Sequence, residues 1–167
     1  MDTLRVSQIN LQHSQDATGE LASVLTGKME IVLIQEPYFY RSQIRGLTGA
    51  GHKLVVGSEE EERPRTCILV SNEISMVPLP QLGSRDATAA VIEYKVGKIG
   101  RKLLVCSLYL PYNDARPPDT AELERIINFA RDKGLLVVIG CAQHNLGQYQ
   151  QQCSGRSPSA VSSTNQS

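Results

Sequence analysis

Glu30 to Tyr38 read EIVLIQEPY. The run is nearly continuous in apolar residues and is bounded by Pro37, which suits a strand buried on both faces. Such a strand belongs inside a layered domain, so its neighbours decide what kind. Upstream, TLRVSQIN (3–10) reads as a first strand through Leu4, Val6 and Ile9. SQDATGELASVLTGK (14–28) follows as a helix that Ser14 or Asp16 can cap. Its expected inner face is Leu21, Val24 and Leu25, and Gly27 lies near its end.

Downstream, KLVVGS (53–58) and TCILVS (66–71) read as two short strands. The charged link between them, EEEERPR (59–65), is a solvated turn in this reading rather than a binding site. Residues 87–111, ATAAVIEYKVGKIGRKLLVCSLYLP, form a hairpin about a Gly-Lys turn. PPDTAELERIINFARDKG (117–134) is the clearest helix. Asp119 and Glu122 fit a capping box, Leu123, Ile126, Ile127 and Ala130 make the stripe, and Gly134 suits a left-handed cap. LLVVIG (135–140) is then a second strand expected to be buried on both faces. Strands outnumber helices and a hairpin interrupts their alternation. That excludes a plain doubly wound fold and predicts a sandwich of mixed sheets with helices outside.

The chain has 167 residues, enough for one domain with a sizeable core. Lys+Arg 17 balance Asp+Glu 17, so any attraction to DNA must come from local clusters of charge. No apolar run approaches the roughly 18 residues of a membrane span, and MDTLRVSQIN lacks a signal-peptide core. Cys67, Cys106, Cys141 and Cys153 show no CxxC spacing and read as reduced core thiols. A soluble intracellular domain is the expectation.

Asn10 and Glu36 close the two inner strands. An amide oxygen plus a carboxylate is a normal partial ligand set for Mg²⁺, which keeps several waters. A turn-forming Asn and a solvated Glu are the plainer readings of the same residues. Tyr109 ends another inner strand, where a phenol could bond a phosphate oxygen or simply fill core. His13, His52 and His144 have no metal-ligand spacing, and no Gly-rich phosphate cradle is present.

In order, LRVSQINLQHSQDATGEL (4–21), IVLIQEPYFY (31–40), RPRTCILVS (63–71), SRDATAAVIEY (84–94), LLVCSLYLPYND (103–114) and LLVVIGC (135–141) resemble the endonuclease domain of non-LTR retrotransposons. That domain belongs to the endonuclease/exonuclease/phosphatase superfamily. The resemblance implies a DNase I-like four-layer α/β sandwich of mixed sheets and a phosphodiesterase site using Mg²⁺ or Mn²⁺. By motif position Asn10 and Glu36 would be catalytic metal-site residues and Tyr109 would contact the scissile phosphate. DNA would be the partner, with no membrane and no small-molecule cofactor, and a functional copy would work in the nucleus. Such an enzyme nicks target DNA so that a reverse transcriptase can prime from the exposed end.

One part of the pattern is missing. The family follows VVIGC with Asp-Ala-Asn-Ala-His-His, where the Asp activates water and the Asn helps to fix the phosphate. Here Cys141 is followed by Ala142-Gln143-His144-Asn145-Leu146, and no carboxylate occurs from there to Ser167. Aligning Ala142-Gln143-His144 on Ala-His-His leaves Asp-Ala-Asn out. Beyond Leu146 the chain is polar and Ser/Gln-rich, a composition expected to be disordered. With permissive codons, a one-base shift turns LGQYQQQ into Trp-Gly-Ser-Thr and then three residues each Asn or Ser, as the family would have there. The expectation is a partial endonuclease domain over 1–146, incomplete at its C-terminal side, and an out-of-frame tail over 147–167. A genuine Gln/Ser tail of a spliced isoform is the alternative origin. Functionally, the resemblance implies a nicking enzyme impaired in this chain, with a nuclease-dead DNA-binding module or a non-functional remnant as alternatives.

Overall fold

The computed structural model describes residues 3–49, 51–57, 63–111 and 120–143. The tail 147–167, Cys153, His144 and Asp119 of the expected capping box lie outside them. Along the chain the elements are β1 (Arg5–Asn10), α1 (Gln15–Val24), β2 (Glu30–Gln35), β3 (Phe39–Tyr40), β4 (Gln43–Ile44), β5 (His52–Val56), β6 (Thr66–Ser71), β7 (Ser75–Pro78), β8 (Ala87–Val96), β9 (Ile99–Leu110), α2 (Ala121–Lys133) and β10 (Leu136–Gln143). A 3-10 turn covers Pro80–Leu82.

β2 explains the architecture. All six of its residues are buried, and the period of two sends them to opposite faces. Ile31 and Leu33 meet Ile68 and Val70 of β6, then Ala90 and Ile92 of β8 and Leu103 and Val105 of β9, which makes the core between two sheets. Val32 and Ile34 turn the other way, with Cys67 and Leu69, towards Leu21 of α1. A third cluster sets Ile126 and Ala130 of α2 against Leu104, Cys106 and Leu108. Three cores separate four layers: α1, a sheet ordered β1-β2-β6-β5, a sheet ordered β10-β9-β8-β7, and α2. Both sheets are mixed, because β1 pairs parallel with β2 and β10 parallel with β9 while the other pairs are antiparallel. The sandwich predicted from the sequence is therefore the fold observed.

Local signals set most of the element ends. Ser14 Oγ accepts the Ala17 N–H at 3.1 Å and starts α1. Gly97 takes φ 63° in the two-residue β8–β9 loop, and Gly134 takes φ 61° after α2, a conformation that costs glycine nothing. Gly57 and Gly83 allow close backbone approach, since a Cβ on either would lie 1.9 Å from a carbonyl oxygen, that of Ala87 or of Gly57 respectively. Cys67 and Cys106 are buried and free, as expected, and burial pushes the Cys106 thiol up to about 12.

Four expectations need correction. Val24 is 70% exposed: the inner stripe of α1 is Thr18 and Leu21, backed by Ala17 and Leu25. Ile127 is likewise on the outer side of α2, and Phe129 packs against the core in its stead. The α2 cap falls on Thr120, one residue later than the capping-box reading, and its hydroxyl meets the Glu124 carboxylate at 3.3 Å rather than a backbone N–H. Finally, β10 is an edge strand that continues to Gln143. Val137, Ile139 and Cys141 pack on the α2 side, but on the other face Leu136 and Val138 are exposed and cover begins only at Gly140, against Leu33 and Gln8. Among the described residues no helix is long and apolar enough to cross a membrane.

Candidate active site

The parallel pairing of β1 with β2 matches Asn10 to Gln35, so the segments after both strands leave from one end of the first sheet. The antiparallel β6 begins at that end, since Gln35 pairs with Thr66. In the second sheet Ala87 pairs with Leu108 and Ala142 with Tyr109, which gathers the start of β8 with the ends of β9 and β10. Backbone bonds lock these segments together. Leu11 N donates to Gln35 O, His13 N to Glu36 O, Glu36 N to Arg65 O, Arg65 N to Arg85 O and Tyr109 N to Asp86 O, all at 2.8–2.9 Å. The Arg65–Arg85 bond joins the two sheets.

Buried side chains complete the junction. Gln35 Nε2 donates to Ser107 Oγ at 3.0 Å and to Gly140 O at 3.1 Å, across the sandwich. Ser107 Oγ donates back to Ile34 O at 2.6 Å. Gln8 Nε2 reaches both Gln35 Oε1 and Cys141 O, and Thr66 and Thr88 meet hydroxyl to hydroxyl at 2.9 Å. No buried side-chain nitrogen or oxygen among the described residues lacks a partner. A satisfied buried network of this kind fixes a register, because its alternatives leave polar atoms dry.

Glu36 stands at the centre with φ 48°, beside Gln12 at φ 49° and His13 at φ 56°. Non-glycine residues in this region are strained, and such strain clusters where function fixes geometry. The Glu36 carboxylate faces the Tyr109 phenol closely enough to raise the phenol's pKa and lies 3.8 Å from His13 Nε2. His13 Nδ1 is held 3.2 Å from Pro37 O. The Arg65 guanidinium forms a two-pronged ion pair with Asp86 and lies 4.7 Å from the centroid of the Tyr109 ring. Burial raises the Tyr109 phenol to about 12, helped by the Glu36 charge and hydrogen bond and opposed by Arg65. At neutral pH it is therefore an O–H donor.

Of the residues predicted from sequence, the structure joins Glu36 and Tyr109 directly. Asn10 sits on the adjacent strand end, where its Oδ1 accepts the Gln12 N–H at 2.8 Å and builds a turn. Sequence reasoning missed Arg65 and Asp86. Arg65 lay within a charge run read as solvated. The signal was its place one residue before a buried strand antiparallel to β2, mirroring Glu36 one residue after β2. Among the described residues no group of three His, Cys, Asp or Glu could cage a metal. The donors do suit a cation that retains its waters: one carboxylate at Glu36, and the remaining lone pair of Asn10 Oδ1. Asp86 is taken by Arg65.

No family model matches the sequence, and no curated protein matches it. Among solved structures the chain is similar to the endonuclease domain of TRAS1, a telomere-specific non-LTR retrotransposon, at a TM-score of 0.56 and 22% identity. The fold is that of this endonuclease domain. The match covers 80% of the present chain and 56% of the other, so the chain spans little more than half of that domain's length.

Proposed function

We propose that the chain carries a DNA phosphodiesterase site of the nicking type, which in this chain holds a divalent cation and DNA but cleaves poorly. The observation that supports the reading best is the Glu36–Tyr109 pair at the junction of the sheets, backed by the Arg65–Asp86 pair. Glu36, with Asn10, would hold Mg²⁺ or Mn²⁺. The cation, when bound, would neutralise charge on the phosphate and stabilise the leaving 3′ oxygen. Tyr109, kept protonated by its burial, would turn its single O–H from Glu36 to a non-bridging phosphate oxygen once the cation takes that carboxylate. Arg65 lies over its ring at 4.7 Å from the centroid, a cation–π contact that favours one orientation of the phenol. The similarity to an endonuclease domain supports nucleic acid as the class of substrate, and the segment resemblance supports the chemistry.

Impairment is argued from Ala142. It is the register partner of Tyr109, and the residue after Cys141 is where the resemblance leads one to expect the aspartate that activates water. A methyl group cannot accept a proton, and Asp86 is neutralised by its guanidinium partner. In this reading, among the described residues, the positioning half of the site is present and no free carboxylate stands beside Tyr109 at position 142. The test is Mn²⁺ binding by titration calorimetry together with DNA binding by gel shift. Cation binding that disappears in Glu36→Gln, with DNA still bound, is expected. Equal Mn²⁺ binding by wild type and Glu36→Gln would remove the proposal.

A further inference from the structure

We propose that the β3–β4 hairpin, together with Arg63 and Arg85, is a surface that grips a DNA strand beside the Glu36–Tyr109 site. The inference rests on the reading of that site as one for DNA and names the surface that would hold the strand. The hairpin begins three residues after Glu36, and Arg45 N ties its far side to Tyr38 O at 3.0 Å. It interleaves aromatic rings with arginines. Tyr38 and Tyr40 lie parallel within 8°, with centroids 6.5 Å apart. The Arg41 guanidinium lies 5.3 Å from the Tyr40 ring centroid, and that of Arg63 lies 5.9 Å from Phe39. Arg85 Nε donates to Arg63 O at 3.1 Å, which brings a third segment to the same place.

Arg41, Arg45, Arg63 and Arg85 are all exposed, and Tyr40 is 50% exposed. Among the described residues the two acids of the site are engaged, Glu36 beside Tyr109 and Asp86 with Arg65. Exposed arginines on the hairpin and at position 63, two of them over aromatic rings, in a chain of zero net charge, are a local cluster rather than a by-product of composition. The chemistry fits a strand of nucleic acid: guanidinium groups pair with phosphates, and an aromatic face takes a base.

The tip adds an independent observation. Arg41 and Ser42, the central residues of the two-residue loop, have φ 49° and 61°. That is the type I′ geometry, for which Asn-Gly is the favoured pair. Two side chains there are a conformational cost, and the one at position 41 places a cation over Tyr40. Folding alone would select Asn-Gly. A surface that needs a cation at the tip would select arginine.

The test measures affinity of the full chain for a fluorescein-labelled duplex with a single-stranded overhang, in EDTA, by anisotropy. Arg41→Asn with Ser42→Gly should keep or raise the melting temperature while weakening binding roughly fivefold. The slope of log affinity against log salt should fall by about 0.9 for a lost duplex phosphate contact. Tyr40→Ala should weaken binding roughly tenfold, and Tyr40→Phe should restore it. Variants that melt like wild type and bind like wild type would overturn the inference, as would a wild type with no salt-dependent DNA binding. Glu59–Glu62, just before Arg63 and outside the described residues, would be the cause to examine in that case. Because EDTA removes the cation, DNA held through the hairpin by a protein that binds no Mn²⁺ leaves this inference standing and removes the site reading. Hairpin variants with unchanged affinity in a protein that binds Mn²⁺ through Glu36 do the reverse.

Discussion

Replacing Gln35 by methionine should separate the structural role of the inter-sheet network from the chemistry beside it. Gln35 is fully buried, and methionine nearly matches its length while removing two donors and an acceptor. Ser107 Oγ loses the Gln35 N–H but still donates to Ile34 O. Gln8 still reaches Cys141 O at 2.7 Å. Gly140 O loses the 3.1 Å bond that crosses the sandwich. Two buried acceptors short of a donor cost roughly 1–3 kcal/mol each, and burying a thioether in place of an amide returns about 1–2 kcal/mol. The net expectation is about 2–3 kcal/mol. At about 3 °C per kcal/mol for a domain of this size, the melting midpoint should fall by about 6–9 °C, read by circular dichroism. Gln35→Met combined with Ser107→Ala should cost about 1 kcal/mol less than the sum of the single changes, because the two share a bond. A Gln35→Met protein within about 0.5 kcal/mol of wild type, which is the scale of an indifferent surface change, would refute the claim that this network fixes the register of the sheets.

Gly140→Ala should be more damaging than its size suggests. Its Cβ would lie 2.8 Å from Leu33 Cβ, an atom fixed by its own backbone, and such overpacking costs about 1–3 kcal/mol in a urea titration. Glu30 gives an acid limb. Burial alone would raise its pKa, but the Gly27 and Thr26 amides and His52 together hold it below the usual value. Its contribution is therefore complete above the ordinary carboxylate range and is lost as pH falls through the depressed folded value. The stability gap between wild type and Glu30→Gln should shrink in acid, and a gap independent of pH would contradict this. Tyr109 gives an alkaline limb of opposite sense. Its folded pKa of about 12 exceeds the ordinary 10, so stability present below pH 10 declines as pH rises towards 12. The tyrosinate absorbance titration, differenced against Tyr109→Phe, should show the raised midpoint, and an ordinary midpoint would contradict it.

The fold was legible in the sequence because its signals are local. EIVLIQ reads as doubly buried without knowledge of its neighbours, and Gly97 and Gly134 mark their turns. Where the reading erred, the deciding fact was non-local. LLVVIG has the composition of an inner strand, yet β10 lies at an edge, and no residue within it says which strands stand beside it. Val24 and Ile127 fit a helical stripe arithmetically, but the angle at which a helix meets its sheet chooses between adjacent positions. Glu36 and Tyr109 could be found as polar residues at strand ends. Arg65 and Asp86 could not, because an arginine in a charge run acquires meaning only when the β6 start and the β8 start meet across two sheets. Tyr40 closes one segment of the resemblance, IVLIQEPYFY, and Arg41 lies just outside it. Their pairing appears only with the turn geometry.

The most direct test of the central claim is a supercoiled-plasmid nicking assay with wild type and Glu36→Gln, in Mg²⁺ and in Mn²⁺, at protein concentrations that saturate DNA binding. The account predicts bound plasmid and no nicking by wild type above the level of the variant, because the proposed reading puts Ala142 where a proton acceptor beside Tyr109 would be needed. Nicking by wild type that vanishes in Glu36→Gln and in EDTA would contradict it, and would place a competent base elsewhere in the protein.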